Sequence, residues 1–223
     1  MHVILNSMSI ELIIFDLDGT LVDSCKDITR ALNYCFEEKG ISGFSEDEVR
    51  KMVGEGVNRL IEKALEARGI FNFKEPMLEC FINYYKEHIT DYSRPYPQVK
   101  ETLNQLKDFK KAVISNKLTD LSIKTLKSLG LLKYFDFVGG SDLFSERKPS
   151  ALPILETIKK LQTSCDRTII VGDSELDIKA GKSAGVKTAA VTYGYRDREF
   201  LKDADFLIDK FSDLLNIIKL IGT

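Results

Sequence analysis

Leu12-Ile13-Ile14-Phe15-Asp16-Leu17-Asp18-Gly19-Thr20-Leu21-Val22-Asp23-Ser24 is the stretch on which the reading of this 223-residue chain turns. Four apolar residues in succession fit a strand of a parallel sheet covered on both faces, and Gly19 ends it by allowing backbone angles that a side chain resists. Two carboxylates one residue apart, Asp16 and Asp18, therefore stand at the strand's carboxyl end. In open α/β sheets that edge binds ligands, beside a topological switch point. Asp and Gly are also ordinary turn residues, and Asp-x-Asp can open a calcium loop. Counted from Asp16, such a loop wants an oxygen ligand at its fifth position, Gly at its sixth and Glu at its twelfth. Thr20, Leu21 and Asp27 stand there, so that template fails at the glycine.

Beyond this stretch the pattern turns helical for about seventy residues. Ile28, Leu32, Cys35 and Phe36 recur at helical spacing up to Gly40, and Ser45-Glu46-Asp47-Glu48 is a capping-box start. Leu60, Ile61, Ala64 and Leu65 predict a helix closed near Gly69; Met77, Leu78, Phe81, Ile82 and Tyr85 predict another, to about Asp91. No strand alternates with these helices, so they read as a separate bundle. Arg94-Pro95-Tyr96-Pro97 is an extended hinge that returns the chain to the main body.

Alternation then sets in. Val99, Leu103 and Leu106 predict a helix, and Ala112-Val113-Ile114 a strand ending at Ser115-Asn116-Lys117. A helix over 121–129 leads to a short strand at Phe135-Asp136-Phe137-Val138, and a helix over 154–161 leads to the apolar strand Thr168-Ile169-Ile170-Val171 before Gly172-Asp173. A helix to Ala184, strands at 188–192 and 206–208, and a helix from Phe211 finish the chain. This pattern predicts an α/β fold: a doubly wound, Rossmann-like parallel sheet core, residues 1–21 and 93–223, with a small all-helical domain, residues 22–92, inserted after the first strand.

Composition narrows the function. With 43% hydrophobic and 30% charged residues and a net charge of -2, nothing marks a nucleic-acid or membrane surface. The apolar runs fall well short of the roughly 18 residues that span a bilayer. Residues 1–7 have neither a basic segment nor a sustained apolar run, which argues against a secretion signal, and Met8 is an alternative start. Cys25, Cys35, Cys80 and Cys165 form no metal-type pair, and reduced thiols in a cytoplasmic protein are expected. Two histidines, His2 and His88, argue against a His-based triad or a His-rich metal site.

Three predicted strands end in polar groups at one sheet edge: Asp16 and Asp18, then Ser115, then Asp173, with Lys148 in a loop between the last two. The ordered set Asp16-Leu-Asp18-Gly-Thr, Ser115-Asn-Lys, Lys148-Pro and Gly172-Asp173-Ser-Glu-Leu-Asp177 resembles the four motifs of the haloacid dehalogenase superfamily, on its phosphatase branch. The resemblance covers essentially the whole chain. It implies a magnesium-dependent phosphatase in which Asp16 is the nucleophile, forming an aspartyl-phosphate, while Asp18 protonates the leaving oxygen and then activates water. Lys148 is implied to neutralise Asp16 and the phosphoryl oxygens. Substrate binding is implied for Ser115, Asn116, Gly19 and Thr20. Mg2+ is implied to sit on Asp16, the backbone carbonyl of Asp18, and Asp173, with Asp177 one helical turn on as an orienting carboxylate. Several negative charges within a few ångströms of a phosphate repel by several kcal/mol at intermediate dielectric, which is the need the metal meets.

The helical insertion resembles the superfamily's cap, which closes over the site and selects the leaving group. Val53-Gly54-Glu55-Gly56 with Lys63 behind it, Pro95-Tyr96-Pro97, and Thr192-Tyr193-Gly194-Tyr195 followed by Leu207-Ile208-Asp209 resemble features of the phosphoglycolate phosphatase group. Glu55, Lys63 and Gln98 depart from its usual Asn, Arg and Gly. Lys63 is expected to bind substrate, and an inward-pointing Glu55 would disfavour a carboxylated one. A small phosphomonoester such as phosphoglycolate is the expected substrate, for a monomer or homodimer. A pyrophosphatase of the same branch and a beta-phosphoglucomutase-like phosphomutase are the alternatives, ahead of a non-catalytic regulator; a dehalogenase does not need Asp18.

Overall fold

The computed structural model describes residues 9–222, so the reading of residues 1–8 as a non-secretory start lies outside the described residues. β1 (Leu12–Phe15) is fully buried and feeds, through the turn at Gly19, a short strand β2 (Val22–Asp23). Four helices follow: α1 (Cys25–Glu37), α2 (Glu46–Met52), α3 (Val57–Ala67) and α4 (Lys74–Glu87). The expected capping box opens α2, with Glu48 N donating to Ser45 Oγ and Ser45 N to Glu48 Oε2. β3 (Arg94–Pro95) then runs back antiparallel to β2, pairing Val22 with Pro95 and Asp23 with Arg94. The segment read from its prolines as a bare hinge is thus half of a two-stranded ribbon.

The remaining elements alternate: α5 (Val99–Gln105), β4 (Lys110–Ile114), α6 (Thr119–Ser128), β5 (Phe137–Gly139), α7 (Leu152–Lys160), β6 (Thr168–Gly172), α8 (Glu175–Ala184), β7 (Lys187–Val191), β8 (Phe206–Ile208) and α9 (Leu214–Ile221). Six strands form a parallel sheet in the order β5-β4-β1-β6-β7-β8, with Ile14 opposite both Ala112 and Ile170. Each strand places alternate residues on opposite faces. Ile13 and Phe15 accordingly pack with Val99, Leu103, Leu126 and Leu214 of α5, α6 and α9, whereas Leu12 and Ile14 pack with Ile154, Ile158 and Ala180 of α7 and α8. β4 pairs on one side of β1 and β6 on the other, so the carboxyl end of β1 is the switch point.

Three expectations shift. The strand expected at 135–138 is Phe137–Gly139, because a 3-10 turn at Leu132–Tyr134 precedes it and pairing of Ala112 with Phe137 sets its start. The closing helix begins as a 3-10 turn at Phe211–Asp213 before α9. The expectation of four reduced thiols is overturned for two: Cys35 of α1 and Cys80 of α4 are joined as a disulfide, with Cα atoms 5.9 Å apart, while Cys25 and Cys165 are free. A separation of 45 residues gave no spacing signal, and packing of α1 beside α4 creates the pair. The four helices hold their own apolar cluster, which includes Phe36, Leu60, Phe81 and Tyr85 and takes in Leu121 and Tyr195 from outside the insertion.

Candidate active site

Asp16 follows β1 directly, and its N–H donates to Val171 O of β6, which continues the sheet ladder into the carboxylate. Lys148 Nζ donates to Asp16 Oδ1 at 2.8 Å and to Asp177 Oδ1 at 2.6 Å, with all three residues buried. Among the described residues no donor reaches Asp16 Oδ2. Asp173 follows β6; its Oδ2 accepts from Tyr195 N at 2.7 Å, and Thr20 Oγ1 is 3.4 Å from its Oδ1. Carboxylate oxygens of Asp16, Asp173 and Asp177 lie within 4.8 Å of one another.

This crowding is paid for in backbone. Gly19 has φ +87°, and a Cβ there would sit 2.3 Å from Asp173 Oδ2; one on Gly194 would sit 2.2 Å from Asp173 Cβ. Both positions therefore exclude side chains so that the backbone can close on Asp173.

Burial raises Asp16 above the ordinary carboxylate range, with Lys148 opposing and Asp177 adding to the rise. Asp173 is raised by burial and then by the charges of Asp16 and Asp177. Burial by itself lowers the Lys148 ammonium, but Asp16 and Asp177 outweigh it and hold Lys148 above its usual value. Three carboxylates thus crowd together while the ammonium of Lys148 bonds two of them, Asp16 and Asp177, a donor set that suits a hard divalent cation. Asp177 is already committed, with Oδ1 on Lys148 and Oδ2 accepting from the Ser174 N–H and hydroxyl, so it fits an orienting place better than a ligand's.

Asp18 points into different company. Its Oδ1 accepts from Ser24 Oγ at 2.5 Å, and Lys117 Nζ lies 2.8 and 3.1 Å from its two oxygens. Lys117 Nζ also donates to Tyr85 Oη of α4 at 2.8 Å. Asp18 and Tyr85 hold the buried Lys117 above its usual pKa although burial, the largest influence, opposes them. Burial pushes the Tyr85 phenol up to about 12, so it keeps its proton. Beside these groups a cavity of about 60 Å³ is lined by Asp16, Asp18, Ser115 and Asn116 and by apolar residues of α1, α3, α4 and α6. A second crevice reaches Asp16 and Asp18 from the side of Lys148 and Asp173.

The structure therefore gathers Asp16, Asp18, Ser115, Asn116, Lys148, Asp173 and Asp177 at one sheet edge. Asn116 is occupied as a strut, its amide donating to Gly54 O at 2.9 Å and Lys148 O at 3.0 Å. Gly19 and Thr20 face Asp173 and do not line the cavity. Lys63 is also outside the lining: it pairs with Glu55 at 2.5 Å, and that hydrogen bond holds Glu55 below its ordinary range. Sequence reading missed Lys117, Tyr85 and Ser24 as members of the site, although Ser24 lies in the opening stretch and Lys117 was quoted with Ser115. It also missed Arg196, which donates to the carbonyls of Arg50 and Val53 and ties the segment after β7 to the insertion.

A parallel sheet whose central strands deliver buried carboxylates beside a lysine, under a helical insertion, fits a hydrolase of the Rossmann-like class that acts on phosphoryl groups. The model of haloacid dehalogenase-like hydrolases matches residues 13–191, and the chain belongs to that family. It is a phosphatase, similar to the phosphoglycolate phosphatase of Aquifex aeolicus, 43% identical over 92% of this chain and 95% of the relative. It is similar also to that of Agrobacterium fabrum, at 38% over 91% and 90%. Among solved structures, a predicted phosphoglycolate phosphatase from Haemophilus somnus superposes with a TM-score of 0.88 at 31% identity, covering 96% of this chain and 99% of the other. A beta-phosphoglucomutase from Clostridium difficile shares the fold, with a TM-score of 0.79 at 24% identity.

Proposed function

We propose that this phosphatase is magnesium-dependent, hydrolyses a small phosphomonoester with phosphoglycolate as the leading candidate, and works through an aspartyl-phosphate on Asp16. The observation that carries the reading is Asp16 itself, held by Lys148 through one oxygen and left with the other unengaged, at the switch point and beside Asp173. Asp16 Oδ2 attacks phosphorus; the bond from phosphorus to the ester oxygen breaks, and Asp18 gives that oxygen its proton. Asp18 then takes a proton from water as the water attacks the acyl phosphate, which returns Asp16 and releases phosphate. Lys148 spreads positive charge over Asp16 and the phosphoryl oxygens. Asp16, Asp173 and the backbone carbonyl of Asp18 would hold Mg2+, which supplies charge neutralisation and orients the phosphate.

Residues 22–92 act as the cap and residues 1–21 and 93–223 as the core. The partner is a small phosphorylated metabolite, met in the cytoplasm by a monomer or homodimer; no helix among the described residues is long and apolar enough to cross a membrane. The Cys35–Cys80 disulfide would face the reducing thiols of that compartment. Phosphate release with and without magnesium, over phosphoglycolate, pyrophosphate, sugar phosphates and nucleotides, tests the reading. Phosphoglycolate should be turned over best and only with the metal, and Asp16→Asn should fold normally and lose turnover by at least about a thousandfold. Preference for pyrophosphate, or more than a few per cent of the rate left in the variant, would sink it.

A further inference from the structure

The cavity beside Asp18 is walled by Ile28, Leu60, Phe81, Leu118 and Leu121, which offer nothing to a charged group. Among the described residues, the one cation lining it is Lys117. Lys63 lies outside and is paired with Glu55, and the exposed Arg147 reaches only the neighbourhood of Gly56 at the mouth. Lys117 Nζ touches both oxygens of Asp18 and Tyr85 Oη. Because Tyr85 Oη accepts from the ammonium, its own proton is free to donate, and among the described residues no acceptor takes it. A buried phenol proton and a buried ammonium thus converge where a leaving group would lie, next to the acid that would protonate it. About 60 Å³ beside Asp18 is room for a small group such as a two- or three-carbon unit.

We propose that Lys117 and Tyr85 together bind a carboxylate on the leaving group and so select short carboxylated phosphate esters over uncharged analogues; this rests on the phosphatase reading above. Asp18 and the substrate carboxylate share the ammonium, and the Tyr85 hydroxyl supplies the other hydrogen bond. A carboxylate entering this apolar wall without both donors would meet a desolvation cost with no return. Since Tyr85 belongs to the insertion and Lys117 to the loop after β4, the pair forms only when the two are in contact.

The test is kcat/KM with magnesium for phosphoglycolate and for 2-hydroxyethyl phosphate, which has the same length and no carboxylate. Lys117→Met also strips Asp18 of a partner and slows both substrates, so the ratio of the two is the readout. The wild type should prefer phosphoglycolate; the ratio should fall about tenfold or more in Lys117→Met and about threefold in Tyr85→Phe, mainly through KM. Tyr85→Phe keeps the ring stacked on Phe81, 5.3 Å between centroids, and decides the matter alone if Lys117→Met does not fold. A wild type indifferent to the carboxylate, or an unchanged ratio in folded variants, overturns the assignment and leaves the phosphatase reading standing. A wild type that releases phosphate from neither ester nor from the wider panel overturns both.

Discussion

Asp16 and Asp173 meet at the ends of β1 and β6, offset by Lys148 at Asp16 and by the Tyr195 N–H and Arg196 at Asp173, and both are raised above the ordinary carboxylate range of about 4. The folded, metal-free chain therefore holds more protons than the unfolded chain above that range. Its stability falls as pH rises through the raised values. A cation ligated by these groups must displace those protons. Adding magnesium to the metal-free protein in weak buffer should acidify the solution at pH 6 to 7 and release progressively less as pH rises to 9; release independent of pH would contradict the assignment. The principal site residues were legible because each stands at a strand end: Asp16, Ser115 and Asp173 could be placed from runs of apolar residues alone. Lys117 and Tyr85 could not, because they lie 32 residues apart and only the docking of α4 over the loop after β4 brings them together. The pairing of Lys63 with Glu55 was hidden for the matching reason, since a motif position says nothing about a partner eight residues before it.

At the level of elements, α1 and α4 are the pair on which the insertion depends, being bound by the aromatic stack of Tyr34 on Tyr84, 4.3 Å between centroids, and by the Cys35–Cys80 bond. Closing a loop of 45 residues removes chain entropy from the unfolded state worth about 4 kcal/mol in the loop-closure picture. Dithiothreitol, or Cys35→Ala, should lower the melting temperature by roughly 10 °C. Alkylation should then separate the sulfurs. Burial pushes the Cys25 thiol up to about 12, so it should resist iodoacetamide at pH 8 until unfolding, whereas half-buried Cys165 reacts early. An unchanged melt on reduction would mean that the bond contributes nothing. Helices were legible from their period of 3.6 and the sheet strands from short continuous apolar runs. The ribbon of β2 and β3 was not, because two-residue strands carry no period and their pairing joins residues about seventy apart.

Taken whole, the molecule is two apolar clusters, one around the sheet and one inside the insertion, joined across a polar seam. The polar ties in that seam include Asn116 to Gly54, Lys117 to Tyr85, Ser24 to Asp18 and Tyr195, Lys124 to the Lys86 carbonyl, and Arg196 to the carbonyls of Arg50 and Val53. Parting the seam would break these ties and uncover only Leu118, Leu121 and Tyr195 where they pack on the insertion's cluster, a small exposure for the cap motion proposed above. Arg196→Ala should speed amide exchange and limited proteolysis around residues 50–56 while exchange in β1 stays as slow as in the parent; equal acceleration in both would mean global destabilisation instead. The overall architecture was readable because alternating strands and helices admit few topologies, whereas the seam was not, since its carbonyl acceptors leave no mark in a sequence.

The pairing of Val22 with Pro95 and of Asp23 with Arg94 means that everything between β2 and β3 departs and returns through one gap the width of two neighbouring strands, about 4.8 Å. Lengthening, shortening or exchanging that segment would not pull on the sheet, because the gap stays the same whatever it carries. The sheet edge that carries Asp16 and the module above it are therefore structurally separable at that gap. A designer could keep the sheet edge around Asp16 and graft a different helical module onto the same two-strand socket.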